Sequence, residues 1–280
     1  MNCRKSVITA LSILTASVLI PILAWSMLSA RSIEDLLNRK LLTSGIIMHA
    51  ERFETAFPFR IVANQVIFSD LETKQPLIKI DRLSTRLRLM PLFAGRFNCI
   101  AEGRSGSGIL SAEANIYPEK RGNLMIRDLS LEMIPFVSQA FNGKIKGLAN
   151  LDLQYRQTRN LTSGEARLKI DSLMLQGARL ATVSLPDITI PETRGVLKLE
   201  GNSLVVNSLA MQGDDIYLRT SGTIQINGSL PISLITEIMP KAESIERNKA
   251  VFLMMTRYQV APAVFRLRIR GTLANPSLAE

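Results

Sequence analysis

The hydrophobic pattern of this chain passes through three regimes. Residues 7–30, VITALSILTASVLIPILAWSMLSA, contain no Asp, Glu, Lys or Arg. A helix of that length spans roughly 36 Å, enough for a hydrocarbon core of ~30 Å. Pro21 is tolerated in such a helix, and Trp25 lies near the far end, where indole rings are enriched. The run predicts a transmembrane anchor over residues 1–30. Two readings compete with it. A cleaved signal peptide has a shorter apolar region, and Leu28-Ser29-Ala30 places a bulky residue where a small one is wanted. A buried core helix of this length is rarely wrapped by a domain of this size. Arg4 and Lys5 precede the run, while Arg31, Arg39 and Lys40 follow it with Glu34 and Asp35 among them. The positive-inside count is close to a tie, and a short tail with two cations favours a cytoplasmic N-terminus.

Residues 31–45 form the second regime. Ile33, Leu36, Leu37 and Leu41 recur at helical spacing, Arg39 and Lys40 sit near the end, and Gly45 is a stop. This predicts a short juxtamembrane amphipathic helix.

From Ile46 the period becomes two, and residues 46–280 read as one β domain with a possible sub-boundary near 118–123. Leu83, Thr85, Leu87 and Leu89 alternate with Arg82, Arg86 and Arg88, an apolar face and a basic face on one strand. Residues 96–101 and 109–116 read as strands joined by the flexible stretch Gly103 to Gly108. Asn123 to Met133 reads as a strand and Ile134 to Phe141 as a short helical piece. Further strands are expected over 144–155, 164–175, 179–185, 188–190, 195–199, 204–211, 216–220 and 223–226. Glu200-Gly201-Asn202-Ser203 is a hairpin turn. Ile170 to Gly177 resembles Val206 to Gly213 at an offset of 36, as a serially extended meander shows. Residues 229–257 break the rhythm: Pro231 to Met239 and Ala242 to Tyr258 read as helical, a segment suited to cover a groove or touch a membrane. Val264 to Leu273 then alternates again, with Phe265, Leu267 and Ile269 against Arg266, Arg268 and Arg270.

Composition sharpens this picture. Aromatic residues are 5% and hydrophobic residues 46%, so the core is aliphatic and compatible with acyl chains. Lys plus Arg is 34 against 24 acids, a formal charge of +10. The cations alternate singly along strands with few aromatics for base stacking, so nucleic acid is not an expected partner. A solvated basic face near anionic lipid or an acidic partner suits a tethered chain. Only Cys3 and Cys99 exist, so no disulfide framework or cysteine metal site follows; Cys99 reads as a small apolar filler.

Candidate chemistry is sparse. His49 is the one histidine, so a Ser-His-Asp triad or multi-histidine metal site would have to depend on it. Gly103 to Gly108 is neither a nucleophile elbow nor a nucleotide loop, since position 107 is Ser and no Gly-Lys-Ser/Thr follows. Asp171, Asp187, Glu192 and Glu200 stand singly, and Asp214-Asp215 sits where a turn favours Asp. No catalytic, cofactor-binding or metal-ligating residue is nominated, no cofactor is expected, and an enzyme is not the reading.

One resemblance covers the whole chain. Its matching stretches are Asp128-Leu129-Ser130-Leu131 with Ile134-Pro135, Gly143 to Leu153, and Leu185 to Thr189. Gly195 to Glu200 through Gln212-Gly213, and Phe265 to Pro276 ending in Gly-Thr-Leu-Ala-Asn-Pro, complete the set. These resemble the long, AsmA-like form of the type II secretion system protein N family (general secretion pathway protein N). The motifs are Gly and Leu patterns rather than catalytic signatures. The resemblance implies a mainly β protein with a single N-terminal transmembrane helix, an extended, curled antiparallel sheet and a few short helices. It implies a single-pass inner-membrane location with the bulk of the chain in the periplasm, and a non-enzymatic role in the general secretion pathway. Its partners are then inner-membrane lipid and other secretion-system proteins. The alternative is an AsmA-like lipid-binding or lipid-transfer envelope protein, with acyl chains held in an apolar sheet groove.

Overall fold

The computed structural model describes residues 30–280 except 44, 57–58, 72, 89–90, 92–94, 136, 139–141, 159–160, 178, 181–182, 185–186, 227–229, 273–274 and 280. Apart from Ala30, the expected anchor lies outside the described residues, as do Cys3, Leu89, Phe141, Leu185-Pro186 and Leu273-Ala274. Among the described residues no helix is long and apolar enough to cross a membrane.

Helix α1 (Ala30–Leu42) carries Ile33, Leu37 and Leu41 at four-residue intervals, one above another on one face. Ile33 is buried, and Leu37 and Leu41 pack on the first strands of the sheet. Gly45 ends the helix in the left-handed region at φ 72°, its N–H donating to the Leu42 carbonyl at 3.0 Å. The Asn38 side chain accepts from the Met48 N–H at 2.9 Å and fastens α1 to the strand that follows.

That strand begins a fifteen-stranded antiparallel sheet. Strands β1 (Ile46–Ala56), β2 (Arg60–Asp70), β3 (Pro76–Leu87), β4 (Phe97–Ser105), β5 (Gly108–Tyr117), β6 (Lys120–Ser130), β7 (Lys144–Thr158) and β8 (Leu161–Gln176) form an uninterrupted meander. The two-residue strands β9 (Arg179–Leu180) and β10 (Val183–Ser184) pair only with each other. The meander resumes with β11 (Ile188–Glu200), β12 (Ser203–Gln212), β13 (Ile216–Gln225) and β14 (Pro231–Pro240). Helices α2 (Ala242–Arg247) and α3 (Lys249–Met254) and a 3-10 turn follow, and then β15 (Gln259–Ala261), β16 (Val264–Thr272) and β17 (Pro276–Ala279). Both β15 and β17 pair with the outer edge of β16. The strand path has two ends, so the sheet is open.

Several expectations are corrected. Pro231 to Met239 is strand β14, not helix. Its inward residues Ile232, Leu234, Thr236 and Ile238 alternate strictly, and β-branched side chains favour the pleat. Residues 188–190 and 195–199 are one strand, β11. Pro191 lies opposite Ser172, where the ladder to β8 skips a pair and φ of Ser172 is 53°, so its missing N–H falls at a bulge. Likewise 216–220 and 223–226 are the single strand β13. Finally, Gly103 to Ser105 belong to β4, leaving a two-residue turn at Gly106-Ser107 whose first N–H donates to Asp81 Oδ2 at 2.7 Å. Strand β6 also stops at Ser130, and Leu131–Met133 turn as a 3-10 helix. The two repeat copies lie in β8 and β12, on either side of β11. Each carries an irregularity near the same place, at Ser172 in β8 and at Asn207, one residue before the equivalent serine, in β12.

The largest core cluster draws on β7 through β16, with Ile145, Ile190, Ile238 and Leu267 among its members. Seven strands at about 4.8 Å spacing would measure roughly 29 Å across if flat. Two six-residue helices, each about 9 Å long, are too small to cover that width. Burial of Ile190 to 0% and Leu267 to 1% exposure therefore requires the sheet to curl around its own apolar face. The approach of β17 to β9 agrees, since those segments attach to strands five places apart in a flat sheet.

Leu267→Ala should destabilise the protein by about 2–5 kcal/mol, as cavity-forming core changes do. Leu253→Ala, on an exposed position of α3, should stay within about 0.5 kcal/mol. Chemical denaturation of the two variants checks both; a Leu267 loss below about 1 kcal/mol contradicts its core position.

Candidate functional site

The strand register sorts the side chains into rows crossing the sheet. One inward row passes through Ala112, Leu124, Leu153, Ala166, Leu197 and Val206, on β5 to β12. The adjacent row passes through Leu110, Ile126, Leu151, Leu168, Gly195 and Leu209. Traced from β3 to β16, neither row contains a charged residue; each ends on an aliphatic side chain, Ile269 or Leu267. Period-two alternation sends the intervening residues to the other face, where Glu102, Arg104, Arg127, Asp152, Arg167, Lys169 and Arg194 stand.

Cover over the inward face is uneven. At the N-terminal end α1 lies over Met48, Ala50, Ala63, Val66 and Ile80. At one end of the later strands, Phe252 of α3, Met255 after it and Leu131 of the 3-10 turn close the large cluster. The ring of Phe252 lies 5.4 Å from that of Phe265 on β16, within the range of favourable aromatic pairs. Asp215, in the turn between β12 and β13, holds this cap: its carboxylate pairs with Arg247 of α2, and its carbonyl accepts from the Lys241 N–H at 2.9 Å. Between these covers lies a third cluster, centred on Ala166, Leu197 and Val206. Every described hydrophobic residue packed there, including Leu151, Leu204 and Ile224, comes from the sheet, and none from a described helix. The candidate site is this stretch: an aliphatic trough plugged at one end by α2 and α3.

Polar groups inside the trough are few. The buried hydroxyls of Thr220 and Thr236 bond each other at 2.9 Å, which satisfies both. Thr193 is 0% exposed, and its hydroxyl has no hydrogen-bond partner among the described residues. Cys99 is half-buried and unpaired, and burial pushes its thiol pKa up.

The outer face is laced with ion pairs. Lys169 lies 2.8 Å from Asp171 and 3.3 Å from Glu192, and Arg194 lies 2.8 Å from Glu192. The hydrogen bond from Arg194, with a further one from Lys169, holds the Glu192 carboxyl below the usual carboxylate range against some desolvation. Hydrogen bonds to Asp171 and then Glu192 raise Lys169 above its ordinary value. Asn150 extends the line by accepting from the Asp128 N–H at 3.1 Å and donating to Asp171 at 3.4 Å.

The residues weighed for chemistry are scattered. His49 is exposed on β1 opposite Ile67, on a strand remote in order from the acids of β8 and β11. Among the described residues no three His, Cys, Asp or Glu side chains are grouped to hold a metal ion. The cap role of Asp215 was not anticipated, because its partner Arg247 lies 32 residues on, across the two strands β13 and β14. Compared with family models, curated proteins and solved structures, the chain matches none.

Thr193→Val removes an unsatisfied buried hydroxyl and should stabilise the protein by about 1 kcal/mol, whereas Thr236→Val strands its partner and should lose about 1–3 kcal/mol. Opposite signs in denaturant melts check the pair. A depressed Glu192 contributes stability that is complete above the ordinary carboxylate range and is lost as pH falls through its lowered value. Acid titration followed by circular dichroism should therefore show a smaller loss for Glu192→Gln than for the wild type.

Proposed function

We propose that this chain is a non-enzymatic component of the type II (general) secretion pathway. It is anchored in the inner membrane by residues 1–30, holds its sheet in the periplasm, and assists protein export across the outer membrane. The observation that carries the reading is the two-sided sheet. One face is aliphatic and curled inward, the other is charged and outward, and the arrangement continues through strand after strand. Such a body spans distance and offers surface. The stretches that resemble the protein N family lie at structural joints of this sheet. Gly195 to Gly213 forms the β11–β12 hairpin, and Phe265 to Thr272 is the strand that receives both edge pieces.

A second reading has its own support. The uncharged rows over β5 to β12, and a middle cluster to which no described helix contributes, suit an AsmA-like lipid-binding or lipid-transfer protein that holds acyl chains. The two roles are compatible in one molecule.

Deletion in a host that exports folded proteins through a secretin should leave those substrates in the periplasm, and re-expression should restore export. Unchanged export removes the secretion reading. Native mass spectrometry of the protein, released from detergent, should show co-purified phospholipid under the second reading. A Leu153→Lys variant, which places a charge in the trough, should lose that lipid.

A further inference from the structure

The outer face contains three places where the register sets one arginine directly opposite another. These are Arg60 and Arg86 across β2–β3, Arg82 and Arg104 across β3–β4, and Arg121 and Arg156 across β6–β7. Like charges at directly opposed positions, with Cβ atoms about 5 Å apart, destabilise a sheet. The first pair is relieved locally: Arg60 Nε donates to Ser84 Oγ at 2.9 Å, and Arg86 lies 3.5 Å from Glu102. Arg121 and Arg156 are exposed and make no ion pair with another described residue.

These last two border a depression of about 630 Å³ on the outer face, which Asn98, Asn115, Asn123, Gln154 and Ser163 also line. Two carboxylates reach it, Glu113 and Glu165. Each is already engaged by a different arginine, Arg88 at 3.0 Å and Arg167 at 3.0 Å. The depression thus has two uncompensated cations and no free acid. Asn98 and Asn115 oppose each other across β4–β5, and their amide oxygens are buried with no hydrogen-bond partner among the described residues. The exposed amides of Asn123 and Gln154 offer N–H donors on the same face.

We propose that this depression binds a phosphate group. Two guanidiniums supply charge-assisted, forked donors, the arrangement that recognises phosphate and carboxylate best. The surrounding amides and the Ser163 hydroxyl exceed what the two oxygens of a carboxylate accept; a phosphate presents three or four. A phosphate seated between Arg121 and Arg156 turns their mutual repulsion into two attractions. The group comes from a soluble phosphate ester or from a phospholipid headgroup, and the chemistry of recognition is the same.

The test uses the full chain in a non-ionic detergent at low ionic strength, titrated with inorganic phosphate by calorimetry. Saturable binding is expected. It should weaken at least tenfold in Arg121→Gln/Arg156→Gln and less than twofold in Arg82→Gln/Arg104→Gln, which removes equal charge from another opposed pair. No saturable binding, or equal weakening in both variants, overturns the proposal. Thermal melts guard against a folding artefact. Without phosphate the Arg121/Arg156 variant should melt at or above the wild-type temperature, and only the wild type should gain with phosphate. A variant that melts lower, or gains equally, also overturns it. Dihexanoyl phosphatidic acid binding at least tenfold tighter than glycerol phosphate assigns the headgroup source, and equal binding assigns a soluble ester.

Discussion

An open antiparallel sheet with one aliphatic face must hide that face, and the rest of this molecule follows from the requirement. Water will not tolerate rows such as Leu124, Leu153, Leu197 and Val206 laid side by side over many strands. The chain uses two devices: it curls the sheet, and it lays short helices over the places where curling is insufficient. The aliphatic composition suits this, because Leu, Ile, Val and Ala pack closely on a concave surface where large rings would hold neighbouring strands apart. The ion pairs of the outer face add little by themselves, since exposed pairs are worth at most about 1 kcal/mol. Their larger effect is on register, because each cross-strand pair such as Arg266–Glu237 favours one alignment over its neighbours.

Curling and bulging work together. Strand irregularities at Gln65, Asp128 and Ser172 place non-glycine residues at positive φ within β2, β6 and β8. A residue at positive φ interrupts the strict alternation of a strand, so the side chains beyond it change face. Without the β2 irregularity, Ala63 and Val66, three residues apart, would point to opposite faces; with it, both are buried in the same cluster. The Asp128–Asn150–Asp171 chain of hydrogen bonds runs along two of these irregular positions and ties them across β6, β7 and β8.

Much of the sheet was legible from alternation alone. In β3, Arg82 and Arg86 against Leu83 and Leu87 announce two faces, and the hairpin at Glu200 to Ser203 is fixed by its Gly-Asn pair. The amphipathic spacing in α1 was equally clear. Strand β14 was not, because the outward Ile235 blurs its alternation and makes a short apolar run look helical. The continuity of β11 was hidden by Pro191, whose effect depends on a bulge in the neighbouring strand rather than on its own surroundings. The trough could be anticipated as an apolar face needing cover, but which part stays without a helix could not. That depends on where α2 and α3 land, and Asp215 settles it by a contact distant in sequence. The opposed arginines were invisible for the same reason: Arg121 and Arg156 become neighbours only once the β6–β7 register is known.

The two margins of the sheet have different fates. β16 is occupied along its outer side by two separate short pieces, β15 against Phe265 and β17 against residues 268–271. β1 instead runs eleven residues with α1 as its companion. Another copy of the chain would have to strip off two strands at one margin before it could stack there, so head-to-tail polymerisation into a ribbon is blocked at that side. The molecule therefore keeps a defined width, bounded on one side by two short strands and on the other by a helix.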